Sequence, residues 1–268
     1  MSDKGYLIII GGAEDKTGDS VVLKQAARML SKDDLLIVLT TATENAEKAG
    51  QNYKNVFERL GLCNTKVLNI NTRDEANESS NIEMLKNAKC VFMTGGDQLR
   101  LTSILGGTSA YYELKSLYSR GGIVMGTSAG ASVMSSTMIV NGRDNEPARK
   151  CTLKMAPGLG LMEGVIIDQH FDQRGRFGRL LCGITENPDI IGLGIDEDTS
   201  IKLCPDMHFE VAGSNAVTII DGKTIKTSNV SELKQDEILA IVGATVHVLP
   251  QGYGFDLVNR KVLRLKDE

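Results

Sequence analysis

Histidine is scarce in this chain: three in 268 residues, His170, His208 and His247. Any chemistry that needs an imidazole must use one of them. Cysteine is present but lacks a pairing pattern. Cys63, Cys90, Cys151, Cys182 and Cys204 are odd in number, irregularly spaced and never form a CxxC pair. That argues against a disulfide framework or a structural zinc site and for a reducing cytoplasm. An excess of one charge is missing too, and a net charge of −4 calls for neither nucleic acid nor a membrane surface as partner. No apolar run is long enough for a spanning helix, and the start of the chain lacks the basic and apolar stretches of a signal peptide; neither feature is expected. Repeats and low-complexity linkers are absent as well. With 41% hydrophobic and 24% charged residues, the composition is that of an ordinary globular protein able to bury a substantial core. A single domain over residues 1–268, with residues 205–268 as a β-rich C-terminal portion, is expected.

What is present is a stretch with the order strand, sharp turn, helix: Gly122-Ile123-Val124-Met125-Gly126-Thr127-Ser128-Ala129-Gly130-Ala131-Ser132. Apolar residues run into Gly-x-Ser-x-Gly, and small residues follow. In that context the motif reads as a nucleophile elbow, whose glycines permit a turn that leaves the serine hydroxyl exposed. The following helix would aim unpaired N–H groups at a developing oxyanion, with the N–H of Ala129 as the first donor. The competing reading is a Gly/Ser-rich turn with no chemistry.

Around this stretch, apolar segments alternate with helical patterns. Strands are expected at residues 6–10, 35–39, 66–70 and 90–93, and helices at 18–30, 46–60, 79–87, the region after Gln98 and 111–118. Continuous apolar strands interleaved with helices predict an α/β fold, a largely parallel sheet covered on both faces. Ligands bind such sheets beyond the carboxyl ends of the strands, where both Ser128 and the Gly95-Gly96-Asp97-Gln98 turn fall. Residues 141–160 read as an ordered loop, 165–171 as a strand, 178–184 as a short helix and 192–203 as a strand pair. Short β-like pieces follow from residue 204 onward.

A serine needs a base, and elimination selects one. His208 and His247 lie in alternating strand segments and read as structural. His170 ends the apolar run Val165-Ile166-Ile167-Asp168-Gln169-His170-Phe171, which turns polar at its carboxyl end. For the acid, Asp196-Glu197-Asp198 closes another apolar segment. Strand alternation would put Asp196 and Asp198 on one face and Glu197 on the other; Asp168, on the same strand face as His170, is a further candidate. Spacing does not choose among them. The backbone of Gly96 and Asp97 offers a second oxyanion donor. Arg174, Arg176 and Arg179 suggest a carboxylate site, against a solvated basic helix end.

The motifs Gly11-Gly12-Ala13-Glu14-Asp15, Gly95-Gly96-Asp97-Gln98, Gly126-Thr127-Ser128-Ala129-Gly130-Ala131, Asp168-Gln169-His170-Phe171 with Gln173-Arg174-Gly175-Arg176, and Gly194-Ile195-Asp196-Glu197 together resemble the peptidase E and cyanophycinase serine peptidases, on the cyanophycinase side. The resemblance implies a class I glutamine amidotransferase-like (flavodoxin-like) fold and a triad of Ser128, His170 and Glu197. It also implies pocket residues Gln98, Asp168, Gln169, Arg174, Arg176 and Arg179. The implied substrate is cyanophycin, or another β-Asp-Arg-containing substrate, cleaved to β-Asp-Arg dipeptides without metal or organic cofactor in a cytoplasmic homodimer. The alternatives are a peptidase E-like α-aspartyl dipeptidase and a catalytically silent polymer-binding protein of the same fold.

Overall fold

The computed structural model describes residues 4–265. Strands β1 (Tyr6–Ile10), β2 (Leu36–Leu39), β3 (Thr65–Leu68), β4 (Cys90–Met93) and β5 (Ile123–Thr127) run parallel in the spatial order β1-β5-β4-β2-β3. Helices α1 (Lys24–Met29), α2 (Ala46–Arg59), α3 (Ser79–Lys86), α4 (Gln98–Leu105) and α5 (Ser109–Ser119) connect them. The strands are apolar without alternation because both faces are covered. Their period of two divides them between two cores. Leu7, Ile9, Ile37, Leu39, Val91, Met93 and Val124 face one cluster, while Ile8, Ile10, Leu36, Val38, Phe92 and Met125 face the other, beneath α1 and α2.

After β5 comes α6 (Ala129–Ser132), then β6 (Thr137–Asn141) paired with β7 (Lys154–Pro157). The stretch expected to be loop therefore holds a strand. Next are β8 (Val165–Gln169), α7 (Phe177–Glu186), β9 (Ile191–Ile195), β10 (Thr199–Leu203), β11 (His208–Gly213) and β12 (Ala216–Asp221). The chain closes with β13 (Thr227–Ser228), β14 (Ile241–Val242), β15 (Thr245–Pro250), β16 (Tyr253–Asp256) and β17 (Lys261–Arg264). The strand pair expected over 192–203 is split between two sheets. β10 joins β1 antiparallel and continues through β11, β16 and β17, giving nine strands in the order β17-β16-β11-β10-β1-β5-β4-β2-β3. β9 instead pairs parallel with β8 in a second sheet, β15-β12-β9-β8. Val165, Ile167, Leu193, Val217 and Ile219 of that sheet pack into the same cluster as Ile201, Leu203 and Phe209 of the first. Leu180 and Ile184 of α7 cover its outer face.

The helix expected over 18–30 begins later, at Lys24. The carboxylate of Asp15 accepts the N–H groups of Thr17, Gly18 and Ser20 and holds this segment as a loop. Three backbone bonds to an exposed carboxylate lower its pKa to about 2. Among the described residues no helix is long and apolar enough to cross a membrane.

The elbow is fixed by contact between backbones. A methyl group on Gly130 would lie 2.3 Å from the carbonyl oxygen of Met93 in β4, and one on Gly126 would lie 2.3 Å from the carbonyl oxygen of Gly130. Neither oxygen belongs to a side chain that can swing away. Gly130→Ala is expected to destabilise the protein by about 1–3 kcal/mol through overpacking, read as a lower urea midpoint at unchanged m-value; an unchanged midpoint would contradict this packing.

Candidate active site

Four chain segments meet where the two sheets touch. β5 delivers Ser128, β8 delivers His170, the crossing from β9 to β10 delivers Glu197, and the turn after β1 runs between them. Gly11 O accepts the N–H of His170 at 2.8 Å, Gly12 O accepts that of Asp198 at 2.9 Å, and Ile10 O accepts that of Ser128 at 3.0 Å. A Cβ on Gly12 would fall 2.4 Å from Cε1 of His170. Only glycine lets the backbone lie against the imidazole, and its φ of 111° is one that L-residues rarely adopt.

Ser128 has φ 52° and ψ −112°, the strained turn expected of an elbow. Its Oγ lies 2.9 Å from His170 Nε2, and His170 Nδ1 lies 2.6 Å from Glu197 Oε1. The three sequence-predicted residues are thus joined in one hydrogen-bonded line. Ser128 is partly accessible, the His170 side chain is nearly buried and that of Glu197 is about one-third exposed. The neighbouring acids are occupied elsewhere: Asp196 accepts from Asp172 N and Ala216 N, and Asp198 from Asp15 N and the Ser214 hydroxyl.

The imidazole of His170 is held below its ordinary pKa, chiefly by burial. The hydrogen bond to Glu197 and its charge oppose this, while Arg174 and Arg176 add to it. A nearly buried imidazole beside two guanidiniums stays neutral, the form that accepts a proton.

Of the expected oxyanion donors, the N–H groups of Ala129 and Gly96 donate to no acceptor among the described residues. Gly95 flanks the nucleophile, since a Cβ there would lie 3.4 Å from Ser128 Cβ. Asp97 differs from expectation: its N–H donates to Ala42 O at 2.8 Å, and its carboxylate caps α4 through Leu99 N and Arg100 N. It has no N–H free for an oxyanion.

The expected pocket residues separate into two groups. Gln169 Oε1 lies 3.4 Å from Ser128 Oγ and accepts from Arg176 Nη1. Arg174 is exposed and has no ion-pair partner among the described residues. Asp168, Arg176 and Arg179, by contrast, are buried together. Arg179 grips Asp168 through Nε at 2.6 Å and Nη2 at 2.5 Å, and Arg176 Nη1 lies 3.4 Å from the same carboxylate. Asp144 bonds both guanidiniums, at 3.2 Å to Arg176 Nε and 3.0 Å to Arg179 Nη1. These donors are spent largely within the protein, because two guanidiniums removed from water must be neutralised, here by Asp168 and Asp144. The picture of an open three-arginine cluster reduces to Arg174. Gln98 binds the carbonyls of Ile139 and Val140 through Nε2 and ties α4 to β6 rather than reaching the serine.

Two participants were not assigned from the sequence. Asp144 lies in a polar stretch with no distinguishing spacing. Glu14 belongs to the Gly11-Gly12-Ala13-Glu14-Asp15 motif, in which its sequence position gives it no role. It is buried and accepts from Thr127 Oγ1 at 2.6 Å and from the Tyr53 hydroxyl, with Lys16 Nζ at 3.0 Å. Burial raises its pKa, but Lys16, Thr127 and Tyr53 outweigh that and leave it lowered. Through Thr127 it braces the residue before the nucleophile.

A hydroxyl donating to a neutral imidazole that is oriented by a carboxylate can perform acyl transfer. Comparison with known proteins agrees with that chemistry. The chain is 34% identical over 260 residues to a cyanophycinase of Geminocystis herdmanii (strain PCC 6308), covering 96% of this chain and 94% of the relative. It is 34% identical over 261 residues to a cyanophycinase of Synechococcus elongatus, covering 97% and 81%. A crystal structure of a peptidase from an acI-B1 Actinobacterium shares the fold, with a TM-score of 0.68 at 22% identity over 94% of this chain and 97% of that one. The profile of peptidase family S51 matches residues 7–211, which span every segment that meets at the serine. The chain belongs to peptidase family S51.

Proposed function

We propose that this serine-type peptidase is a cyanophycinase, which hydrolyses multi-L-arginyl-poly-L-aspartate to β-Asp-Arg dipeptides. The observation that carries the reading is the line from Ser128 Oγ through His170 to Glu197, at 2.9 and 2.6 Å, in a chain alike to cyanophycinases over nearly its full length. Neutral His170 accepts the Ser128 proton at Nε2 as Oγ attacks the main-chain carbonyl of an aspartyl unit. Nδ1–H stays with Glu197, which fixes the tautomer and stabilises the imidazolium. The oxyanion develops against the N–H groups of Ala129 and Gly96, each worth about 2.7–4 kcal/mol if it matches measured oxyanion donors. His170 returns the proton to the leaving amine, then deprotonates the water that releases the acyl-enzyme. Arg174 takes a substrate carboxylate, and the free thiols of all five cysteines suit a reducing cytoplasm.

Purified protein is expected to release β-Asp-Arg from cyanophycin and to leave a short α-Asp peptide intact; cleavage of the α-peptide alone would overturn the substrate assignment. Ser128→Ala and His170→Ala should each lower turnover by about 10⁴- to 10⁶-fold, and near-wild-type hydrolysis by either would remove that residue from the mechanism.

The pH profile follows from the direction of the His170 shift. Only the neutral ring accepts the proton, so a pKa held below the ordinary value of about 6.5 carries activity further into acid. The acid limb of kcat/KM should have its midpoint below that value. Arg174→Ala removes a charge that lowers the His170 pKa and should move the limb upward; an unmoved limb would contradict this coupling.

The arginines should also divide by phenotype. Arg174→Ala is expected to raise KM with unchanged thermal stability. Arg179→Ala leaves Asp168 buried without its main partner and should cost about 3–5 kcal/mol of stability, seen as a lowered Tm. Equal Tm values for the two variants would refute the separation.

A further inference from the structure

The turn joining β10 to β11 gathers a second set of reactive side chains that peptide hydrolysis does not use. β10 and β11 pair antiparallel with Lys202 opposite Glu210 and Leu203 opposite Phe209. Beyond them Cys204 N donates to His208 O at 2.9 Å, and Met207 N donates to Cys204 O at 3.0 Å. Alternation buries Phe209 and Val211 in the core and puts His208 and Glu210 on the opposite face, beside Cys204. A thiol, an imidazole and a carboxylate, all with ligand atoms within 4.8 Å of one another, are thereby fixed on a paired hairpin.

Each of the two longer donors is oriented by a further charged group. His208 Nδ1 lies 2.5 Å from Asp206 Oδ1, which holds the proton on Nδ1 and leaves the Nε2 lone pair free. Nε2 in turn lies 3.9 Å from Glu210 Oε1. Lys202 Nζ holds the other carboxylate oxygen, Oε2, at 2.7 Å, so that Oε1 remains available. A carboxylate behind a ligating histidine is the usual outer support of a metal ligand. Tetrahedral zinc, with bonds of about 2.0–2.3 Å, needs donors about 3.3–3.8 Å apart, a small closing movement for side chains that are about one-third exposed. Charge also fits. A thiolate and two carboxylates against one lysine and a divalent ion leave the cluster neutral.

We propose that Cys204, His208 and Glu210 form a divalent transition-metal site, with zinc as the fitting ion and water in the fourth position. Sulfur and imidazole nitrogen beside one oxygen select zinc over calcium or magnesium. As the sulfur–metal bond forms, the Cys204 thiol gives up its proton to solvent. This departs from the expectation that the cysteines hold no metal. That expectation looked for CxxC pairs, whereas the donors here follow C-x3-H-x-E across a hairpin. The site lies apart from Ser128 and does not depend on how the peptidase reaction is assigned.

The test is a Co²⁺ titration of the chelator-stripped, reduced protein, followed by displacement with Zn²⁺. One equivalent of Co²⁺ is expected to produce a thiolate-to-cobalt charge-transfer band with tetrahedral visible absorption, and Zn²⁺ should abolish both. Cys204→Ser should lose the charge-transfer band, His208→Ala should weaken binding at least tenfold, and Asp206→Asn should weaken it by about 10- to 100-fold. His170→Ala should bind as wild type does. Absence of the band in the wild-type protein overturns the proposal without reference to any variant. So does a band that survives Cys204→Ser, which would place the metal on another cysteine, or an affinity indifferent to His208→Ala.

Discussion

The approach of the Gly11-Gly12 backbone to the His170 ring is the constraint on which the site depends. The base and the nucleophile stand on different sheets, so their 2.9 Å separation is a distance between sheets rather than within a loop. Two carbonyls set it. Ile10 O holds the backbone of Ser128 and Gly11 O that of His170, while the missing Cβ of Gly12 lets the imidazole lie against the turn. The large cluster shared by both sheets supplies the rigidity behind this contact. A close-packed interior deforms little, and relative positions fixed by it reach the catalytic atoms with little slack.

Charge is partitioned by burial around the same point. Arg176 and Arg179 are enclosed with Asp168, and Asp144 closes the group from the partly exposed side. The network positions β8 against α7, and from within it Arg176 depresses the imidazole pKa, as Arg174 does from outside. Glu197 pulls the other way, yet its side chain is about one-third exposed and water screens its charge. What it contributes most securely is direction, since a 2.6 Å bond at Nδ1 leaves Nε2 bare toward the serine.

Much of this was legible in the chain. Strands buried on both faces declare themselves as unbroken apolar runs, and β4 falls where its run predicts, at Cys90–Met93. Gly-x-Ser-x-Gly after such a run marks the elbow, and a count of three histidines leaves little choice of base. The division of strands between two sheets was not legible, because β9 and β10 have the same local pattern and differ only in what they pair with. For the same reason alternation could not choose the acid. Residues 196–198 are no strand but a crossing between sheets, with Asp198 at φ 47°, and each acid faces its own partner. The arginines were overread because a sequence displays charges without their counterions; Asp144 stands 32 residues before Arg176.

Four strained residues lie where the sheets meet. Ala13, Ser128, His170 and Asp198 all have positive φ, at 45°, 52°, 47° and 47°, and none is glycine. Each such conformation costs of the order of 1–3 kcal/mol unless its surroundings impose it. Here they do: the N–H groups of Ser128, His170 and Asp198 donate to the carbonyls of Ile10, Gly11 and Gly12 in turn. Three consecutive carbonyls of one strand end therefore capture three chain reversals, and the side chains that leave those reversals are the nucleophile, the base and the neighbour of the acid. The strain is the geometric consequence of turning three chains sharply at one edge. That edge is also where a parallel sheet leaves its site open to substrate, which is why the strained residues and the reactive ones coincide.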